Sequence, residues 1–338
     1  MLPHRNACEI GILPPDIQGA ISTVMVGKAV DNRVHCGNQD FVQGVEFMDK
    51  ASPAEIIAIS SHVVRGSVGN RAIVFSLETM GHPVWSMPTV VLPWHPGHGP
   101  STRITLPAEQ FAAALDDIGG SRWMPGPKAV ISGYFGDVGQ VEAVAKLVRT
   151  LKTKSPDLLY LCDPVIGDLK GLYVPEAIAV AIRDQLLPLA DIATPNRYEL
   201  GWLAGADLES NAQIMDAALS LGPRRVLVTS AVPMMTGGIG NLLLTDRHAI
   251  LAEHRMVGNP PNGLGDLTAA LFLSRLLKGE NEERALQMAT AAVFEIIARS
   301  VKRGADELML SEDYASFSTP MAMVQLRQLL HPSRARKK

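Results

Sequence analysis

The chain is short of most features that would settle its class at once. Its three cysteines, Cys8, Cys36 and Cys162, are odd in number and have no metal-ligand spacing, which argues against a disulfide framework or a thiolate zinc site. A reducing, cytoplasmic setting is the simplest fit. No stretch reaches the ~18 uninterrupted apolar residues of a membrane span. The first residues lack a basic start followed by a continuous apolar core, so no signal peptide is expected. An excess of one charge is missing too. With 31 Lys and Arg against 34 Asp and Glu, the net charge is −3, and no global field recruits nucleic acid. The basic run Arg334–Lys338 is too short to alter that. Also absent are the G-x-x-x-x-G-K-[ST] loop of P-loop kinases and the H-R-D and D-F-G sets of protein kinases.

What is present reads as a globular chain. Its 338 residues, 47% hydrophobic and 19% charged, suffice for a large core, and length alone allows one large α/β domain or two smaller ones. Residues 1–53 keep neither a helical nor a strand period. They read as an extension of uncertain structure: a mobile arm, a small cap, or the product of a start codon placed too early, since Met48 lies just before the first convincing strand. Mass spectrometry of the native N-terminus decides the last of these.

From Ile56 the pattern becomes regular. Strands are expected at Ile56–Ile59, Val84–Leu92, Ala129–Ser132, Leu158–Cys162, Asp191–Thr194 and Arg225–Thr229, with a hairpin pair at Leu242–Leu244 and Ala249–Leu251. Helices are expected at Asn70–Met80, Pro107–Ile118, Val138–Lys154, Pro175–Leu186, Arg197–Ala204, Leu267–Lys278 and Glu282–Lys302, with one more ahead of Arg225. Short continuous apolar strands alternating with helices predict a mostly parallel sheet covered on both faces, with a small antiparallel edge. There is no internal repeat and no interdomain linker. One domain is expected over 54–318, followed by a C-terminal helix and basic tail over 319–338.

The chain is organised around Asn262–Ala270. Gly263 and Gly265 bracket Leu264, Asp266 follows, and an apolar helical run begins. Glycines let successive amides converge on one point, and the helix start behind them adds partial positive charge, a combination fit for phosphate. Asp266 then has two readings. It is an N-cap, which Asp favours, or it is a base that takes a proton from a hydroxyl while the nest neutralises a transferring phosphoryl group.

Ligands of such sheets collect beyond the carboxyl ends of the strands, and polar residues stand there repeatedly. Ser60, Ser61 and His62 follow the first strand, as a heterocycle site or an ordinary glycine loop. Tyr134 is a stacking wall or a core ring. Asp163 and Asp168 lie on a Pro/Gly loop, either holding Mg²⁺ and nucleotide phosphate or facing solvent. Asn196 and Glu199 have capping-box spacing, yet a carboxylate on that helix start also suits magnesium and nucleotide. Thr229 and Ser230 close a further strand. Phosphoryl transfer accounts for all of these at once.

These residues carry a family resemblance. From Ile56 to Phe317 the chain resembles pyridoxal kinase, in the ribokinase-like superfamily. The most specific stretch is Ser61–Ala72, followed in family order by Cys162–Val165, Thr194–Asn196 with Glu199, and Gly263–Asp266. The resemblance implies ATP, Mg²⁺ and a monovalent cation (K⁺) as cofactors, pyridoxal as substrate, and a homodimer. It implies Asp266 as the base acting on the 5′-hydroxymethyl group, and Gly263, Leu264 and Gly265 as the anion hole. Asp163, Asp168 and Glu199 fall beside the metal. Thr194, Asn196, Thr229 and Ser230 line the nucleotide, with His254, Arg255, Met256 and Val257 over the adenosine. Ser61, His95, Pro96, Gly97 and Tyr134 fall around the pyridine.

Two positions depart from the family pattern. Pro96 stands where a threonine hydroxyl is common, which leaves the relative use of pyridoxal, pyridoxine and pyridoxamine open. Leu264 stands where a smaller or hydroxylated residue is common, with little consequence expected because only its amide is needed. Two rival functions stay in view: a hydroxymethylpyrimidine kinase of the same superfamily, and a non-catalytic carrier of pyridoxal phosphate, which would need neither the base nor the acids.

Overall fold

The computed structural model describes residues 55–123 and 126–332. The 1–53 extension and the basic run at 334–338 lie outside them. In chain order the described residues form β1 (Ile56–Val63), α1 (Asn70–Thr79), β2 (Val84–Leu92), β3 (Ile104–Thr105), α2 (Ala108–Gly120), β4 (Ala129–Ser132), α3 (Val138–Lys154) and β5 (Leu159–Cys162). A two-residue hairpin, β6 (Gly167–Asp168) and β7 (Gly171–Leu172), leads to α4 (Glu176–Ala181), β8 (Ile192–Ala193), α5 (Arg197–Ala204), α6 (Asn211–Ser220) and β9 (Arg225–Ala231). The antiparallel β10 (Gly238–Thr245) and β11 (Ala249–Arg255) follow, then α7 (Leu264–Leu277), α8 (Glu282–Lys302), the short α9 (Leu310–Asp313) and α10 (Ala315–Ser318), and finally β12 (Gln325–Gln328).

One ten-stranded sheet results, in the order β12-β11-β10-β9-β8-β5-β4-β1-β2-β3. The central strands from β2 to β9 pair in parallel, while β3 at one edge and β10 to β12 at the other are antiparallel. The first residues of β1 explain why its sequence is apolar without interruption. Ile56 and Ala58 enter the core under α1, α7 and α8; Ile57 and Ile59 enter the core under α2, α3 and α4. Both faces of a parallel strand are covered, so both sets of alternating side chains must be apolar. The registers Ile59↔Ser132 and Ser132↔Cys162 bring the carboxyl ends of β1, β4 and β5 level. Whatever follows those strands therefore meets along one edge.

Helix α7 differs from its neighbours in being buried from Leu267 through Arg275 without a gap. A helix apolar all round is driven into the interior rather than laid on a surface, and its start is thereby fixed against the sheet's ligand edge.

Three expectations need correction. The helix expected over Pro175–Leu186 is α-helical only at Glu176–Ala181, then runs into a π turn at Ile182–Leu186 and a 3₁₀ turn. Pro188 has no amide to continue the ladder there. The helix behind the nest begins at Leu264, three residues earlier than expected. In the C-terminal segment expected to be helical, Gln325–Gln328 is instead a strand paired with β11. The open edge of β11 supplies bonding groups that local propensity does not register.

Candidate active site

The site is built at the start of α7. Gly263 occupies the N-cap position with φ 97°, and no side chain caps the helix. A Cβ on Gly263 would lie 2.2 Å from the Ser67 carbonyl oxygen, so only glycine lets the two chains approach this closely. The Leu267 amide donates to Gly263 O at 3.1 Å, and the amides ahead of that first helical bond point out of the helix end. Beside Gly265 the space is open: the atom nearest a Cβ added there would be Asp163 Oδ2, at 3.9 Å.

Asp266 is not the cap. It lies in the first turn of the helix, and its Oδ2 accepts the Gly69 amide at 2.9 Å. Gly69 itself has φ 57°, and a Cβ there would stand 2.3 Å from Ser61 O. Burial pushes the Asp266 carboxyl up to about 6, with the Gly69 amide pulling the other way. A carboxylate so tuned is ionised at neutral pH yet basic enough to accept a proton.

The acids divide into distinct roles. Asp163, directly after β5, is buried; its Oδ1 accepts the Thr194 hydroxyl at 3.0 Å. Burial, and then the charges of Glu199 and Asp266, hold its carboxyl well above the usual range. Glu199 completes a capping box with Asn196, each accepting the other's amide at 2.9 Å. Its second oxygen accepts the amides of Ile166 at 2.8 Å and Gly167 at 3.3 Å, and burial pushes its carboxyl up to about 7. Asn196 Nδ2 adds a bond to Gly167 O at 2.8 Å. Both Glu199 oxygens are thus taken by backbone, and its first task is to anchor the loop after β5. Asp168 sits exposed on the small hairpin and accepts the Lys170 amide at 2.7 Å. The three acids expected around a metal therefore form no ready-made cage, and among the described residues no group of three or more His, Cys, Asp or Glu is arranged to hold an ion. Asp163 keeps Oδ2 turned to the nest, which suits a magnesium ion bound mainly by phosphate and water with one or two carboxylates.

Glu199→Ala is expected to cost about 2 to 4 kcal/mol, because three amides in the interior lose their acceptor. The measurement is the urea midpoint at unchanged slope. Lost turnover with an unshifted midpoint would instead give Glu199 a part in chemistry.

A cleft of about 570 Å³ runs along this edge. Ser61, His95, Pro96, Tyr134, Asp163, Asp168, Thr194, Asn196, Glu199, Thr229, Ser230, His254, Met256, Val257 and Gly263 to Asp266 all line it. Thr229 reaches the edge because its amide donates to Pro195 O at 3.0 Å, and Ser230 turns in with φ 56°. His254 stacks on Phe294 at 4.3 Å and 22°, and burial lowers its pKa, leaving a neutral flat wall. Two expected residues are not in the lining. Arg255 is exposed, since strand alternation turns it away from His254 and Met256. Gly97 lies behind His95, to whose Nδ1 its amide donates at 3.0 Å.

Sequence reasoning missed Arg103, Tyr173, Asn241 and Val165, which also face the cleft. Arg103 lies just before β3, donates to the Tyr134 hydroxyl at 2.7 Å and stands 5.2 Å from the centre of its ring. Nothing in its flanking sequence marks it. Val165 has φ 47°, a costly conformation for a β-branched residue and a sign of constraint beside Asp163.

An anion nest at a buried helix start, a recessed carboxylate and acids on neighbouring strand ends define a phosphotransferase that acts on a small hydroxylic acceptor. Known proteins agree. The family model of phosphomethylpyrimidine kinase matches residues 108–311. Pyridoxal kinase of Rubrobacter xylanophilus is 35% identical over 83% of this chain and 100% of its own length. That of Corynebacterium diphtheriae is 32% identical over 81% of this chain and 99% of its own. Among solved structures, pyridoxal kinase from Entamoeba histolytica superposes with a TM-score of 0.76 at 22% identity, over 82% of this chain and 99% of that one. Pyridoxal kinase from Leishmania donovani in complex with ADP and pyridoxamine gives 0.76 at 24%, over 81% and 99%. The chain belongs to the pyridoxal kinase family and has the ribokinase-like fold.

Proposed function

We propose that this protein transfers the γ-phosphoryl group of ATP to the 5′-hydroxymethyl group of pyridoxal, giving pyridoxal 5′-phosphate and ADP. The observation that carries the reading is the pairing of Asp266, held by the Gly69 amide, with the open nest at Gly263–Gly265 in one cleft. In the reaction the 5′-oxygen forms a bond to the γ-phosphorus, the bond to the ADP oxygen breaks, and Asp266 takes the hydroxyl proton. The nest amides meet the charge on the migrating group. Ser61 and Tyr134 flank the heterocycle with His95 and Pro96 over it; Thr194, Asn196, Thr229, Ser230, His254, Met256 and Val257 hold the nucleotide. Magnesium, when bound, neutralises phosphate charge, and Asp163 with Asp168 and Glu199 supplies the acidic wall that would hold it, partly through water. A monovalent cation and a cytoplasmic homodimer complete the reading. No helix among the described residues is long and apolar enough to cross a membrane.

The direct test is ATP-dependent formation of pyridoxal phosphate by the purified protein, with and without Mg²⁺. No product under either condition would reject the reading. The name of the matching family model favours one second reading, phosphorylation of a hydroxymethylpyrimidine. The same coupled assay run with both acceptors separates the two.

The pH dependence has a definite sign. The base works ionised, and burial raises its pKa to about 6. kcat/KM for pyridoxal is therefore expected to be level above that value and to fall about tenfold per unit below it. An acid limb near pH 4 would place the base elsewhere.

A further inference from the structure

Three segments of the chain meet behind the substrate end of the cleft, at a single carboxylate. Glu307 lies in the turn between α8 and α9, and its side chain is only 15% exposed. Its Oε2 accepts the Ser67 amide at 3.2 Å. Its Oε1 accepts Arg65 Nη1 at 3.3 Å and lies 2.9 Å from His98 Nε2. The flanking residues repeat the join: Leu308 O accepts the Ser67 hydroxyl at 2.8 Å, and Asp306 Oδ2 accepts Arg65 Nη2 at 2.7 Å. Gly66, with φ 112°, lays its backbone so close that a Cβ would sit 2.7 Å from Glu307 Oε1.

Each tie leads on to the site. The Ser67 carbonyl packs against Gly263, and two residues later the Gly69 amide holds Asp266. A bridge between His62 and Gly69 closes that loop on itself. In the other direction, His98 ends the short turn Pro96–His98, whose first residue, Pro96, lines the cleft beside His95. Glu307, Arg65 and His98 are themselves outside the lining. A carboxylate accepts from several directions at once and donates to none, so it suits a junction made of an amide and a guanidinium, with the His98 ring in ion-pair range beside them.

We propose that Glu307 is a positioning residue for phosphoryl transfer, fixing together the loop that holds the base and the loop that walls the acceptor. This rests on the function proposed above. Glu307 acts through Ser67 and Gly69 on Asp266, and through His98 on His95 and Pro96, without touching either substrate.

The test compares Glu307→Ala and Glu307→Gln with the wild type in the full-length protein. It measures kcat, the separate KM values for pyridoxal and ATP, and the pH profile. For Glu307→Ala, kcat/KM for pyridoxal should fall between about tenfold and about a hundredfold, as expected for a reacting group displaced by a fraction of an ångström. KM for ATP should stay within about twofold. The acid limb should move up in pH, because the Gly69 amide no longer favours the charged form of Asp266. Of the groups facing Glu307, Arg65, His95, His98 and Asp306 are unchanged, as are Asp163 and Tyr173, which face Asp266. Glu307→Gln keeps one acceptor for Ser67 and should recover part of the loss; it also carries the test if the alanine variant fails to fold. An unmoved acid limb, or an equal loss toward both substrates, would make Glu307 merely structural and overturn the proposal. Wild-type protein that makes no pyridoxal phosphate would instead overturn the function itself.

Discussion

Asp266→Asn is expected to lose between about a hundredfold and about ten thousandfold in turnover, the usual share of a general base, while the folded protein becomes more stable at neutral pH. Asparagine keeps the shape and the oxygen that accepts the Gly69 amide at 2.9 Å, so the loop stays in place; what disappears is the capacity to take a proton. The stability gain follows from the raised pKa. Burial lifts the Asp266 carboxyl from 3.8 to about 6, so between those values the folded state holds the proton more tightly than the unfolded chain. Ionisation therefore costs the fold a penalty that grows as pH rises through this window and is complete above it. Removing the charge should recover about 3 kcal/mol at pH 7 and well under ~1 kcal/mol at pH 4. Urea midpoints at the two pH values, beside turnover numbers, check both halves. A variant that turns over at the wild-type rate would refute the assigned base, and one destabilised at pH 7 would mean the carboxylate stabilises the fold.

The second large effect separates the two nest glycines. Gly263→Ala forces a side chain into φ 97° and 2.2 Å from the Ser67 carbonyl, an approach that backbone cannot absorb because Ser67 is tied to Glu307 and Leu308. A loss of about 3 kcal/mol or more is expected, together with most of the activity. At Gly265 the nearest atom to an added Cβ is 3.9 Å away, and the residue is already helical. Gly265→Ala should therefore melt like the wild type, yet lose turnover by about tenfold or more, since the methyl projects where the phosphoryl group must pass. Thermal midpoints set against rates distinguish the pair. If both variants melted early, the space beside Gly265 would be structural; if neither lost activity, the nest would not bind the migrating group.

Much of this arrangement was legible in the residues. Helices such as Val138–Lys154 and Glu282–Lys302 have the ends expected of them, because capping and apolar periodicity are local signals. The cleft lining was legible by position, since polar residues directly after apolar strands have one edge to occupy. What escaped notice depends on contacts distant in sequence. Glu307 meets partners some 240 positions away, Gln325–Gln328 pairs with a strand more than 70 positions earlier, and Arg103 owes its place to the Tyr134 ring. Asp266 was ambiguous for another reason. An acid in a first turn caps or catalyses according to where its side chain turns, and that is set by Gly69, almost 200 residues before it.

Helix α7 carries one more consequence. On the proposed mechanism its first turn forms the floor of the reaction chamber, and its shaft from Leu267 to Arg275 is buried without a gap. The phosphate-handling groups of that mechanism are mounted on a buried beam, while His95 and Pro96, proposed to meet the acceptor, stand on a loop at the rim. On that reading a new acceptor asks for exchange of a few rim residues, whereas a new phosphate-handling floor asks for the interior to be rebuilt.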